Sequence, residues 1–322
     1  MSRCIALAEA LRLSGVESTF AGKFDAAAQD QLAAAGFNSV PLSFRVNSDA
    51  DDTEVAGGTS GDTFDFTIID SYRADEDYLL QIKSPDRKIV VIDDFRKLNS
   101  YPCDVVLNFT WDAPKLGYQD DPVLLLGPEY FLARRRLVDA RGRSILRDRQ
   151  GEVRNLLIAI GGSDPKGLTG RLLKLLRQQH AGLCVHAIGT ENDEAATLLG
   201  EFDEGSRFLP RQPDLSEPLL WADAALTGGG LIKYECAYMG VPAAAIAQNE
   251  GQDSESQSFA RAGLVHDLGL ADQVDDERLS QSLEKFLSDA NLRASLVARA
   301  RETFPSDPAA NAADAILEAV KR

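Results

Sequence analysis

Two segments of the chain decide its fold class, NLLIAIGGSDPKGLTGRLLKLL at residues 155–176 and ALTGGGLIKYECAYMGVPAAAIAQNEGQ at residues 225–252. In each segment a short apolar run enters a glycine-rich turn, and a helical pattern follows. Glycine lets the backbone approach a ligand closely, and the free N–H groups at a helix start favour an anion. Neither turn matches GxxxxGK[ST] or GxGxxG, so the sequence gives little support to an ATPase or a dinucleotide-binding protein.

The same alternation extends over the rest of the chain. Helical patterns separate short apolar runs such as FDFTIID, KIVVIDD, PVLLLG and LCVHAIG. Strands buried on both faces read as continuous apolar runs and need helical crossovers, so the pattern predicts α/β domains with doubly wound parallel sheets, the first half forming one layer. We predict two Rossmann-like domains facing a cleft, at residues 1–136 and 151–322, joined by an Arg-rich linker at 137–150.

Two stretches interrupt this pattern. Residues 47–63 are acidic, small and glycine-rich, which predicts a solvated loop because such a composition buries too little apolar surface to offset its ordering. Seven arginines lie between residues 134 and 149. Clustered arginines form either a phosphate clamp or a solvated linker or helix face, and the sequence leaves both interpretations open.

Composition limits the partners of the protein. With 34 Lys and Arg against 50 Asp and Glu, the formal net charge of −16 opposes loose binding to nucleic acid or to an anionic membrane. No apolar run approaches the roughly 20 residues that span a bilayer, so we expect a soluble cytoplasmic protein. Nothing in the sequence indicates a metal, another cofactor or an oligomeric state. Four scattered cysteines predict reduced core thiols, namely Cys4, Cys103, Cys184 and Cys236.

Polar side chains end several predicted strands of the first half. Ligands of open α/β sheets gather at such ends, although an aspartate there is equally a capping residue. The candidates are Asp70, Tyr72, Asp94 and Asn108. In the second half, Glu235 lies one helical turn beyond Leu231 and could reach the ribose of a nucleotide whose diphosphate sits at the helix start; the alternative is a solvated helix residue.

The segments IGGSDPKGLT, RFLP, TGGGLIKYECAYMGVPAAAIAQNEGQ and ARAGLVHDLG together resemble the nucleotide-binding half of glycosyltransferases of the GT-B fold. With SRCIALAEAL, IIDSY, VVIDDF and LLGPEYFLARRRL included, nearly the whole chain resembles the UDP-sugar hydrolase of pseudaminic acid biosynthesis and its spore-coat-polysaccharide relatives. The resemblance implies a GT-B arrangement of the two domains and a UDP-sugar as the ligand.

The resemblance also implies a role for each matching residue. The uracil edge would meet the backbone of Phe208 and Leu209, the ribose Glu235, and the sugar Asn249 and Gln252, which could equally be surface amides in a loop. The first domain would contribute Asp70, Tyr72 and Asp94 as catalytic residues, with Asn108 among the substrate contacts. The diphosphate would meet Gly161, Gly162, Ser163, Gly229, Gly230 and Leu231.

One departure from the family concerns the first residues. Members begin with a strand, a glycine-rich loop and an acid/base histidine in a pattern like GxGHxxRxxALA, whereas this chain begins at Met1 with MSRCIALA. Without that strand, its neighbours would lack ladder partners. We favour a natural start upstream of Met1; a degenerate homologue and a piece supplied by another chain stay open. We interpret His180, His186 and His266 as structural.

We therefore expect hydrolysis of a UDP-linked diacetamido-trideoxy sugar to free sugar and UDP, in the biosynthesis of a pseudaminic-type nonulosonic acid or a surface polysaccharide. Water would be the nucleophile. Two alternatives remain: a GT-B glycosyltransferase that passes a UDP-linked amino sugar to an acceptor, and a catalytically impaired homologue that binds the nucleotide sugar. The absent histidine favours the second alternative.

Overall fold

The computed structural model describes residues 1–40, 44–45, 54–55, 64–119, 121–161, 164–180, 182–189, 193–212 and 214–321. The chain divides into two compact units. Unit 1 comprises Met1–Arg135 and Asp307–Arg322, and unit 2 comprises Arg136–Ser306. Both units are built on parallel strands connected through helices, which confirms the predicted α/β class.

Unit 1 begins with a helix and contains a four-stranded parallel sheet in the order β5-β6-β7-β8. Strand β7 is buried throughout and β6 is buried except at its first residue, as expected of parallel strands covered on both faces. The elements are α1 (Ser2–Leu13), β1 (Thr19–Ala21), α2 (Ala26–Ala34), β2 (Asn38–Val40), β3 (Phe44–Arg45), β4 (Glu54–Val55), β5 (Phe66–Ile69), α3 (Glu76–Ile82), β6 (Lys88–Ile92), β7 (Val105–Asn108) and β8 (Val123–Leu126).

Strands β1 and β2 form a separate parallel pair, and no ladder among the described residues joins this pair to the β5–β8 sheet. Among the described residues the first half therefore contains two separate groups of parallel strands and no continuous ladder between them. Strand β4 pairs with β3, and the rest of the predicted loop at residues 47–63 lies outside the described residues.

The second part of the chain carries a six-stranded sheet, parallel throughout, and a final helix that returns to unit 1. Its elements are α4 (Arg135–Ile145), β9 (Asn155–Ala159), α5 (Leu168–Leu176), β10 (Cys184–Ile188), α6 (Asp193–Leu199), β11 (Arg207–Leu209), α7 (Ser216–Trp221), β12 (Ala224–Gly228), α8 (Ile232–Met239), β13 (Ala243–Ala247), α9 (Glu250–Arg261), β14 (His266–Leu270), α10 (Asp276–Ser288), α11 (Ala290–Thr303) and α12 (Pro308–Val320).

The strand order of unit 2 is β11-β10-β9-β12-β13-β14. From β9 the chain moves outward through β10 to β11, and from β12 it moves outward in the other direction through β13 to β14. The direction therefore reverses between β9 and β12. Both of these central strands consist of small or aliphatic residues with few polar atoms, and β12 is buried over its whole length.

The boundaries of the two units differ from the predicted domains. Residues 137–150 are mostly helix α4, which belongs to unit 2, and residues 307–322 return to unit 1. Helix α12 starts with a Pro at its first turn, and the Asp307 side chain caps it by accepting the Ala310 N–H. Its apolar face packs against α1, so a small apolar stripe at the end of the chain completes the N-terminal unit.

The arginine cluster at residues 134–149 is not a wholly solvated face, because several of its side chains bond to backbone carbonyls. Arg147 and Arg149 donate to the carbonyls that end helix α7, from Leu219 to Ala222. Arg141 donates to the carbonyls of Tyr238 and Phe304, each at a distance of 2.9 Å. The last carbonyls of a helix lack intrahelical partners, and these guanidinium groups satisfy them.

Arg149 is the most enclosed of these caps. It is 7% exposed and donates to the carbonyls of Ala222, Leu219 and Ser144 and to the Ser144 hydroxyl. Burial, with the nearby charge of Arg147, lowers the pKa of Arg149 to about 10. The guanidinium therefore stays charged at neutral pH while bonded mainly to backbone oxygens.

We predict that Arg149→Met lowers the free energy of unfolding by about 3 kcal/mol, because buried carbonyls lose a charged donor. Arg143→Met is the matched control, since that side chain is 70% exposed and stands 3.7 Å from Glu217. The control should change stability by less than about 0.5 kcal/mol. Urea unfolding of the three proteins measures both values, and equal midpoints for the two variants would contradict the capping role.

Candidate functional site

Both glycine-rich turns lie at one edge of the unit 2 sheet. Strand β9 leads into Gly161 and strand β12 into residues 228–230, and the two strands pair side by side with Ala159 opposite Thr227. The chain order reverses at this pair of strands. In open α/β sheets ligands bind at the carboxyl ends of the strands at such a reversal, so the two turns mark the candidate site of unit 2.

The three glycines at the end of β12, Gly228 to Gly230, have different surroundings. A Cβ on Gly228 would stand 2.1 Å from the carbonyl oxygen of Ile160, and one on Gly229 would stand 2.9 Å from the Cβ of Gln252. Around Gly230, apart from its chain neighbours, no described residue lies within 4 Å of such an atom. Gly228 and Gly229 are therefore required by packing, whereas Gly230 leaves open space in which a ligand can approach the backbone.

The helix that follows the turn after β9 is capped by the side chain of Asp164. Gly161 has a φ of 142°, which favours glycine, while Gly162 and Ser163 lie outside the described residues. The Asp164 carboxylate accepts the N–H groups of Leu168 and Thr169, each at 2.8 Å, at the start of α5. A carboxylate already occupies the position that an anion would take at this helix. Asp164 was not predicted as a functional residue, although an aspartate just ahead of a helix is a capping signal.

Helix α8 starts without such a cap. Leu231 is its N-cap residue and makes no side-chain hydrogen bond to the helix, and the exposed Gly230 precedes it. The first N–H groups of a helix have no intrahelical partner and attract negative charge. Glu235 follows in the first turn and is half-buried. Of the two predicted anion sites, the start of α8 is thus the one whose N–H groups are not capped by a side chain.

A buried ion pair lies beneath the turn before α8. Lys233 is fully buried, and its Nζ donates to the Gly229 carbonyl and to Glu255 of helix α9, while Tyr234 donates its hydroxyl to the other oxygen of Glu255. This group of residues was not predicted from the sequence. Helical spacing could have predicted it. Lys233 lies three residues before Cys236 and four before Ala237, and both of these residues lie on the buried side of α8.

The amides of Asn249 and Gln252 are engaged by their own backbone. Asn249 caps α9 by accepting the N–H of Gln252, and Gln252 accepts the N–H of Gln248, each at 3.0 Å. The Cβ of Gln252 is also the nearest atom to the one that a side chain at Gly229 would introduce. The structure therefore brings Gln252 next to the glycine turn and gives both amides a capping function.

The predicted uracil contact lies on the edge strand β11. Phe208 is half-buried and packs its ring against the core of unit 2, which leaves its backbone as the available part. Leu209 pairs with Ile188 of β10, and its carbonyl accepts the N–H of Gly189 at 3.4 Å.

In unit 1 the candidate carboxylates meet around one arginine. Asp70 and Asp94 follow β5 and β6, and the guanidinium of Arg3, on α1, donates to both, standing 2.6 Å from Asp70. Tyr72 donates its hydroxyl to Asp94. Three residues predicted as catalytic are thus in one cluster, which also contains Arg3, a residue missed by sequence analysis. A basic residue on the apolar side of α1 is the pattern that could have predicted Arg3.

The cluster fixes the protonation of its members. Burial alone would raise the pKa of Asp70, but the hydrogen bonds and the charge of Arg3 outweigh burial and hold it below its usual value. Desolvation and the hydrogen bond to Asp94 raise the pKa of Tyr72 to about 12. Burial and the neighbouring Asp70 raise the pKa of the Cys4 thiol to about 12 as well. At neutral pH Asp70 is a charged acceptor and Tyr72 a proton donor.

Asn108 differs from the expectation of a substrate contact, because it is completely buried. Its amide donates to the Tyr118 hydroxyl at 2.9 Å and accepts from the Thr110 N–H and hydroxyl. The same Tyr118 hydroxyl donates to Asp93 at 2.7 Å. Asp93 in turn accepts the N–H of Asp94 at 2.8 Å. Asn108 and Asp93 therefore hold the loop that carries Asp94 in place.

The three histidines lie in unit 2 with structural partners, as interpreted from the sequence. His180 stands 2.8 Å from Glu284, His186 stacks on Trp221, and His266 contacts the Ser282 hydroxyl at 2.9 Å. Cys103 and Cys236 are buried as predicted, whereas Cys4 and Cys184 are half-buried, and all four thiols are free.

Two kinds of feature are absent from the part of the chain that the structure describes. No group of three or more His, Cys, Asp or Glu side chains there could hold a metal ion. No helix there is long and apolar enough to cross a bilayer.

Solved structures show the class of the fold. The chain is similar to MurG of Acinetobacter baumannii, with a TM-score of 0.65 and 14% identity over 99% of this chain and 95% of that one. It is also similar to the spinosyn forosaminyltransferase SpnP, with a TM-score of 0.64 and 13% identity over 100% of this chain and 97% of SpnP. A third similar structure is a Listeria monocytogenes protein assigned as a UDP-N-acetylglucosamine 2-epimerase. Its TM-score is 0.62, and it is 14% identical over 99% of this chain and 92% of that one. The fold is that of GT-B glycosyltransferases, as predicted.

One protein involved in polysaccharide biosynthesis is similar to this chain in sequence. The chain is 28% identical to the spore coat polysaccharide biosynthesis protein SpsG of Bacillus subtilis over 240 residues, which cover 72% of this chain and 70% of SpsG. No protein-family model matches the chain.

We predict that Gly228→Ala lowers the free energy of unfolding by about 3 kcal/mol or more, because its methyl group would meet the fixed carbonyl of Ile160. Gly230→Ala is the control two residues away and should change stability by less than about 0.5 kcal/mol, since its site is open. Thermal and urea unfolding measure both variants. A stable Gly228→Ala protein would show that β9 and β12 are not in close contact there.

The ion pair of Arg3 with Asp70 predicts a pH dependence of stability. A folded-state pKa below the unfolded value contributes stability above about pH 4, and this contribution is lost as the pH falls through the folded value. Asp70→Asn should therefore unfold more easily than the parent at pH 7, by about 2 kcal/mol, and the difference should shrink at pH 2.5. Asp86→Asn, at an exposed turn, is the control. A difference that stays constant between the two pH values would refute the assignment.

Proposed function

We propose that this protein acts on a UDP-linked amino sugar in the biosynthesis of a surface polysaccharide or a pseudaminic-type nonulosonic acid. The observation that carries the proposal is the uncapped N-terminus of α8, preceded by the open Gly230, at the reversal of strand order in unit 2. The similarity to SpsG supports a role in polysaccharide biosynthesis, and the likeness to an assigned UDP-N-acetylglucosamine 2-epimerase supports a UDP-linked ligand.

The ligand contacts follow from this placement. The N–H groups of Gly230 and Leu231 would bind the diphosphate, and Glu235 would accept hydrogen bonds from the ribose hydroxyls. The backbone of Phe208 and Leu209 would contact the uracil. The sugar would meet Asn249 and Gln252, whose terminal amide groups each retain donors beyond their capping bonds. Gly161 would stay a secondary diphosphate contact with its neighbours Gly162 and Ser163, because Asp164 occupies the start of α5.

For the reaction we propose hydrolysis of the bond between the anomeric carbon and the diphosphate. Negative charge develops on the departing diphosphate, and the fixed N–H dipoles of α8 would stabilise it. Tyr72 retains its proton at neutral pH and can donate a hydrogen bond, whereas Asp70 and Asp94 both accept from Arg3 and so neither is a free base. Since a positioned general base contributes about 10²–10⁴-fold, we expect slow hydrolysis by this chain.

Transfer of the sugar to an acceptor is the second candidate, because SpnP, a structure with the same fold, is a forosaminyltransferase. Product analysis separates the candidates. The protein is incubated with a UDP-diacetamido sugar in the absence of any acceptor. Free sugar and UDP in equal amounts support hydrolysis, and consumption only after an acceptor is added supports transfer. Tight binding without turnover in either condition supports a binding homologue.

We predict that UDP binds more tightly than ADP or UMP, since the base and the second phosphate both have assigned contacts. Glu235→Ala should weaken UDP binding by roughly 1.5–3 kcal/mol, the range for hydrogen bonds to a charged group. Glu277→Ala, an exposed glutamate in the first turn of α10, is the matched control and should bind normally. Isothermal titration measures each affinity. Equal affinities for UDP and ADP would remove the uridine assignment.

A further inference from the structure

Lys233 is an unusual lysine for a helix start, because its side chain is completely enclosed. Its Nζ donates to the carbonyl of Gly229 and stands 3.4 Å from the carbonyl of Gly230. Long side chains on a helix point back toward its N-terminus, which explains how Lys233 reaches the turn that precedes its own helix. The ammonium therefore lies beneath the backbone of the glycine turn.

The geometry of the peptide bond determines where the N–H groups of this turn point. The described chain contains no cis peptide bond, so each carbonyl points opposite to the N–H of the following residue. When the Gly229 carbonyl turns inward to Lys233, the Gly230 N–H turns outward. The contact at the Gly230 carbonyl orients the Leu231 N–H in the same way. These two N–H groups flank the open position at Gly230.

Glu255 completes the arrangement from a different helix. One carboxylate oxygen accepts from Lys233, and the other accepts from the Tyr234 hydroxyl. Glu255 belongs to α9, the helix that begins with the caps of Asn249 and Gln252. The buried pair thus ties the glycine turn and the start of α9 to one another.

A direct contact between Lys233 and a phosphate does not fit this geometry. The side chain has no exposed surface, and its charge already has a carboxylate partner. A buried lysine requires such a partner, because an unpaired charge in the interior is strongly unfavourable. Its influence on an anion must therefore act through the backbone that it holds.

We propose that Lys233 is a positioning residue, paired with Glu255, which turns the peptide planes of Gly229 and Gly230 so that the following N–H groups face a diphosphate. This inference rests on the proposed function for the identity of the ligand, although the anion site itself is testable with pyrophosphate alone. Lys233 contributes to affinity for the phosphates and not to recognition of the nucleoside.

The test uses a double variant, Lys233→Met/Glu255→Gln, because Lys233→Met alone leaves a buried carboxylate without its cation and can unfold the protein. Pyrophosphate, UDP and uridine are titrated calorimetrically into the parent and the double variant. The control Lys285→Met/Glu277→Gln removes one exposed charge of each sign from unit 2 and, like the test variant, leaves the net charge unchanged. Amide NMR of Gly230 and Leu231 during the pyrophosphate titration reports on the turn directly.

We expect the dissociation constants of pyrophosphate and UDP to rise roughly 10- to 100-fold in the double variant, the equivalent of losing hydrogen bonds to a charged group. Uridine affinity should stay within about twofold of the parent value. Pyrophosphate should no longer change the amide chemical shifts of Gly230 and Leu231. The control variant should behave as the parent. An unchanged pyrophosphate affinity, or an equal loss of UDP and uridine affinity, overturns the positioning role.

The parent protein separates failure of this inference from failure of the proposed function. If the parent binds pyrophosphate but not UDP, the proposed function fails, and the pyrophosphate comparison still decides the role of Lys233. If the parent binds neither ligand, the turn is not an anion site, and both proposals are overturned.

Discussion

The close approach of two backbones at the centre of unit 2 is the constraint on which its candidate site depends. A side chain at Gly228 would stand 2.1 Å from the carbonyl oxygen of Ile160, so β9 and β12 can run side by side to their ends only with glycine at that position. This contact brings the two glycine-rich turns to the same point of the sheet edge. Because the strand order reverses there, the helices that follow the two turns diverge to either side.

Capping decides what each of these helix ends can bind. Asp164 supplies the carboxylate for α5 from within the chain, whereas α8 has no such side chain and its turn is held from below by Lys233. The starts of the two helices therefore differ: the Asp164 carboxylate already accepts two N–H groups of α5, whereas no side chain caps α8. The difference arises from a single acidic residue at the start of one helix.

Several arginines of this protein bind oxygen atoms of the chain itself. Arg147 and Arg149 end helix α7, and Arg3 joins the two carboxylates that follow β5 and β6. A guanidinium presents several donors in a fixed plane, so one side chain satisfies oxygens from different segments at once. In the cluster at residues 134–149, Arg141, Arg147 and Arg149 bond to backbone carbonyls of the chain itself.

Local sequence patterns were sufficient to predict the α/β class, most helices and strands, and the two glycine turns, because periodicity and glycine content depend on neighbouring residues. They also predicted Asp70, Tyr72 and Asp94 at strand ends. Only the tertiary structure showed that Arg3 joins Asp70 and Asp94 across 67 and 91 residues, that Lys233 pairs with Glu255, and that α12 returns to unit 1. Such pairings depend on strand order and on which helix faces meet, and no local pattern contains that information.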